Sequence, residues 1–70
     1  MIDYRIDVMK ELKAAGYSST RLRREKLLGE STMAHIRNGE GVNFETLNLI
    51  CEILDKQPGE IIRWIPDKKS

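Results

Sequence analysis

"TRLRREKLLGESTMAHIRNG", residues 20–39, decides the fold, because it holds two short helical patterns with almost no chain between them. Its last eleven residues, 29–39, read as about two helical turns closed by Asn38-Gly39, a pair suited to the left-handed conformation that ends helices. Met33 and Ile36 lie three apart on one side of that helix, while Glu30, Ser31, Thr32 and His35 give the other side small or hydrogen-bonding groups. The preceding helix has a choice of N-cap oxygens in Ser18, Ser19 and Thr20 and runs to about Lys26, where Leu27-Leu28-Gly29 interrupts it. So short a connection makes the two helices cross steeply, with Leu22, Leu28, Met33 and Ile36 meeting in the angle. The arrangement is a helix-turn-helix.

Working outward, Ile6, Val8, Met9, Leu12 and Ala15 recur at helical spacings and predict a first helix over about 4–15, capped by Asp3 and stopped by Gly16. On the other side, Asn43 caps a helix over about 44–55 with Leu47, Ile50, Cys51 and Leu54 along one face, the most regular apolar stripe in the chain. Pro58 suits a first helical position, so residues 58–63 form a short fifth helix. Trp64-Ile65-Pro66 is then extended. The alternation of Ile2, Tyr4 and Ile6 leaves open a minor pairing of the N-terminal residues with 62–65. The expected class is all-α, five short helices around one core, in a single domain over 1–66 with a disordered tail at 67–70.

Seventy residues bury a small core, so stability rests on few side chains. The overall charge nearly cancels, with 12 Lys and Arg against 11 Asp and Glu, but its distribution is uneven. Residues 18–38 hold five basic and two acidic side chains, whereas residues 39–62 hold one basic and five acidic, so one end should be basic. A single cysteine, Cys51, excludes an internal disulfide and fits a reducing compartment. With no signal-peptide pattern and no apolar run of about 20 residues, the expected location is the cytoplasm, with no membrane partner.

These residues resemble the lambda-repressor-like, Cro-type helix-turn-helix regulators, in the compact form found in bacteria, phages and mobile elements. The resemblance covers residues 6–67 and is carried by "TRLRREKLLGESTMAHIRNG", "VNFETLNLICEILDKQPGEII" and the closing "WIPD". It implies a sequence-specific DNA-binding regulator. Leu22, Leu28, Met33 and Ile36 match the buried positions, Glu30, Ser31 and His35 the base-contacting ones, and Ser19, Thr32 and Asn38 positions that often meet phosphates. Arg23 stands where the family usually has Ala, Leu27 where Gly is frequent, and Gly29 where a Ser or Thr cap is usual.

The chemistry of the residues agrees. A helix-turn-helix sets the N-terminal part of its second helix against major-groove base edges. Ser31 and His35 are four apart with Glu30 beside them, so all three can enter the groove while Met33 and Ile36 hold the helix to the body. Ser and His read several edges, and Glu accepts from cytosine N4 or repels phosphate. Affinity must come from backbone contacts, for which Arg21, Arg23, Arg24, Lys26 and the helix starts at Ser18 and Asn43 are candidates. Competing internal uses are pairing of Arg23 with Glu25 or Glu30, and of Arg37 with Glu11 or Glu52. Trp64 and Ile65 either close the core or present an apolar patch to a second subunit, and two half-sites read by a homodimer are expected on DNA.

One His and one Cys cannot supply a usual metal set, and Cys51 is better read as a core filler. With no nucleophile-base arrangement and no phosphate-cradling loop, no catalytic activity, cofactor or small-molecule ligand is expected. The reading is a repressor acting by operator occupancy. The rival is a protein-interaction module, an antitoxin or inhibitor on the same fold, which the acidic second half favours.

Overall fold

Most of the helices start where a side-chain oxygen accepts from a first-turn amide and end beside a left-handed residue. In the computed structural model, which describes residues 1–66, strand β1 (Ile2–Tyr4) leads into α1 (Val8–Ala14), α2 (Ser19–Arg24), α3 (Glu30–Arg37), α4 (Phe44–Leu54), α5 (Pro58–Ile61) and strand β2 (Ile62–Trp64). Ser18 caps α2 by accepting from the Arg21 N–H at 3.2 Å, and Asn43 caps α4 by accepting from the Thr46 N–H at 2.8 Å. The α1 cap is Asp7, which accepts from the Lys10 N–H, and not Asp3. Pairing of the N-terminal residues with β2 holds Ile2–Tyr4 extended, so α1 cannot begin until Val8.

The stops of α1, α2 and α3 share one pattern. Past α1, Gly16 is left-handed and the N–H groups of Gly16 and Tyr17 donate back to the carbonyls of Lys13 and Leu12. Past α2, Lys26 takes the left-handed position at φ 58°, with Lys26 and Leu27 donating to Arg23 and Leu22. Past α3, Gly39 and Glu40 donate to Ile36 and His35. Paired bonds of this kind satisfy carbonyls that a helix end otherwise leaves open. The second helix therefore ends at Arg24, two residues before the expected Lys26.

All five helices feed the core: Val8 and Leu12 from α1, Leu22 from α2, Met33 and Ile36 from α3, Ile50 from α4 and Ile61 from α5, with Leu28 filling the turn. Two expectations shift here. Ala15 caps the end of α1 and is exposed, since the helix stops before that position can turn inward. Along α4 only Ile50 is fully buried, while Leu47, Cys51 and Leu54 pack at the edge of the core and stay half-buried.

The strand pairing left open by the sequence is present. β1 and β2 run antiparallel with Ile2 opposite Trp64, Asp3 opposite Arg63 and Tyr4 opposite Ile62. Alternation puts the Asp3–Arg63 ion pair, 2.9 Å, on one side and the four apolar or aromatic side chains on the other. Tyr4 and Ile62 pack against the core, and burial raises the Tyr4 phenol pKa above its usual value. Ile2 and Trp64 extend past it at 62% and 68% exposure, so Trp64 does not close the core. The tail expected at 67–70 lies outside the described residues.

Candidate nucleic-acid interface

The turn between α2 and α3 brings the candidate residues together. Leu22, Leu28, Met33 and Ile36 are all buried, as a helix-turn-helix requires, and they fix α3 by its inner face. Of the three residues expected at base edges, Ser31 is exposed and makes no side-chain hydrogen bond among the described residues. His35 is exposed on the same side, its Nε2 3.6 Å from Oε1 of Glu40. Glu30 opens α3, and its Oε1 accepts from Arg23 Nη1 at 2.8 Å. Arg23 therefore chooses Glu30 over Glu25, the second partner open to it in sequence.

The expected backbone contacts divide into engaged and open groups. Arg21 donates from Nε to Glu25 at 2.8 Å and from Nη1 to the Gly16 carbonyl at 2.9 Å, and its guanidinium lies 4.1 Å over the Tyr17 ring. The hydrogen bond that Arg21 donates to the Glu25 carboxylate raises its pKa above the usual arginine value, so the charge is permanent but locally matched. Arg24 is exposed and forms no ion pair among the described residues. Thr32 is half-buried in α3, Asn38 forms its exposed C-cap, and the Asn43 side-chain oxygen is committed to capping α4. Ser19 accepts from Arg37 Nη2 at 2.9 Å, a bond that ties the start of α2 to the end of α3.

That bond replaces the pairing of Arg37 with Glu11 or Glu52 anticipated from sequence, and it lies beside two residues the sequence did not single out, Lys10 and Lys13. Arg37 and Ser19 edge an open concavity of about 660 Å³ beside α1, to which Lys10 and Lys13 add two further cations. The signal available in the sequence was the three-residue spacing of Lys10 and Lys13, which puts both on one helix flank. Only the packing of α1 beside α3 brings that flank to Arg37.

Trp64 is exposed and Ile65 half-buried, and Ile2, opposite Trp64 in the strand pair, lines a surface pocket with Phe44, which is 88% exposed at the start of α4. No helix among the described residues is long and apolar enough to cross a membrane. The family model for the Cro/C1-type HTH DNA-binding domain matches residues 5–67. No curated protein and no solved structure matches the chain.

Proposed function

The chain belongs to the family of Cro/C1-type helix-turn-helix DNA-binding domains, and from that premise we propose that it represses transcription by occupying an operator, with α3 in the major groove. The observation that carries this reading is the outward face of α3. Ser31 and His35 stand exposed, four residues apart, on a helix whose opposite face is anchored by Met33 and Ile36. Side chains so placed reach base edges once the helix enters a groove about 12 Å wide.

Glu30 takes part with Arg23 as its partner, which offsets the repulsion an isolated carboxylate would meet beside phosphates. Arg24, Thr32, Asn38, Asn43 and Ser19 are the proposed backbone contacts, with Arg21 contributing a matched charge. The chain acts as a homodimer on DNA, since one eight-residue reading helix contacts too few base pairs to be selective, and paired half-sites about 34 Å apart give the needed discrimination. Trp64 and Ile65 supply that interface, extended by Ile2, Trp64's cross-strand neighbour.

A specific observation keeps a second reading in view. Phe44, Trp64 and Ile2 are exposed apolar side chains, and residues 39–62 are predominantly acidic, a combination that suits an antitoxin or inhibitor that docks a protein. Selection of bound sites from random DNA decides between them. A recovered two-fold symmetric consensus supports the repressor, and enrichment of nothing beyond random sequence favours the protein-docking module.

A further inference from the structure

We propose that the concavity between α1 and α3 seats a phosphate of the DNA strand bordering the groove that α3 reads, held by Arg37, Ser19, Lys10 and Lys13; the inference rests on the DNA-binding reading above. The first argument is charge. Arg21 and Arg23 are matched by Glu25 and Glu30, each within 2.8 Å. Lys10, Lys13 and Arg37 form no ion pair among the described residues, although all three line one concavity. Its single carboxylate, Asp7, is already committed to the Lys10 N–H where it caps α1. The net field in the concavity therefore favours an anion.

The second argument is hydrogen bonding. Arg37 Nη2 donates to Ser19 Oγ, a neutral acceptor, so the bond fixes the guanidinium without neutralising it. An arginine carries five N–H donors, and one is used here. The Ser19 hydroxyl accepts that bond and keeps its own hydrogen to donate. Together the two side chains present several donors held against one another, which suits the oxygens of a phosphate diester.

The third argument is spacing. Arg37 lies six residues beyond Ser31, or about 9 Å along the α3 axis. A groove about 12 Å across puts its bordering phosphates at a comparable distance from the base edges, so a helix reading with Ser31 brings Arg37 to the backbone. Lys10 and Lys13 then reach the same strand from α1, adding charge on long flexible stems.

The test measures binding of the full chain to a short random-sequence duplex over a range of salt concentrations. Arg37→Gln should weaken binding about tenfold and flatten the slope of log affinity against log salt by about one. Lys10→Gln with Lys13→Gln should flatten it further, whereas Lys56→Gln, on the α4–α5 loop outside the concavity, should leave it unchanged. Ser19→Ala removes the tie to Arg37 without removing a charge, so it should lower affinity with the slope kept. Melting curves confirm that each variant is folded. A wild-type chain that binds with a steep salt slope while Arg37→Gln keeps that slope overturns the phosphate seat and leaves the DNA reading standing. A wild-type chain that binds no duplex even at low salt overturns both.

Discussion

Helices α3 and α4 are built on opposite terms. α4 has eleven residues, a side-chain cap from Asn43, a left-handed stop at Asp55 and Ile50 wholly buried at its centre. α3 has eight residues, begins at Gly29 with no side-chain cap, and carries Glu30, Ser31 and His35 away from the core. Isolated helices this short are marginal in water, so α3 keeps its shape through Met33 and Ile36 and through the bonds that close its end on Gly39 and Glu40. The contrast teaches how so small a domain divides its labour. The helix with the better ends and the deeper core residue serves as scaffold, and the helix that owes its order to neighbours has a face free for a partner.

The largest effect should come from the scaffold. Ile50→Ala removes a side chain with no exposed surface, at about 2–5 kcal/mol, comparable to the whole stability expected of a domain this size. Thermal melts should find it largely unfolded, with half-buried Leu47→Ala clearly milder. Equal melting temperatures for the two would mean that α4 is anchored along its length and not at Ile50.

Next in size is the reading face. Ser31→Ala and His35→Ala should each cost about 1–3 kcal/mol of discrimination at particular base pairs, with melting temperature and random-sequence binding nearly unchanged. Competition between a selected site and its point-mutated versions measures this. If neither variant altered specificity, the outward face of α3 would have lost its proposed purpose and the protein-docking reading would be the better one.

The helix starts give the two smaller effects. Asn43→Ala should lower stability by about 1 kcal/mol through loss of the bond to the Thr46 N–H. Gly29→Ser should raise it by a few tenths of a kcal/mol, because the backbone there is already extended at φ −80° and ψ 168° and an added Cβ meets nothing within 4 Å. Denaturant titrations of the free protein resolve the first easily and the second by its sign. A loss of stability on Gly29→Ser would show that α3 prefers an uncapped start, sharpening its contrast with α4 beyond mere weakness.

What the sequence by itself determined was whatever depends on neighbours three or four residues away. Apolar spacing marked α1, α3 and α4, Ser18, Asn43 and Pro58 announced three of the helix starts, and Asn38-Gly39 announced the end of α3, because caps and stops are satisfied within one turn of chain. The outward placement of Ser31 and His35 followed from the same periodicity. Tertiary structure alone decided the rest. Asp3 was the cap expected from sequence, but β1 is drawn onto β2, sixty residues on, where Asp3 pairs with Arg63, and Asp7 caps α1 instead. Arg23 had two carboxylates in reach by sequence, and the crossing of α2 and α3 selected Glu30. Arg37 had two plausible acidic partners and took neither, because packing put it beside Ser19 and next to the lysines of α1. Long side chains at a surface have many near-equal local choices, and only the positions of distant elements make one of them short enough to form a bond.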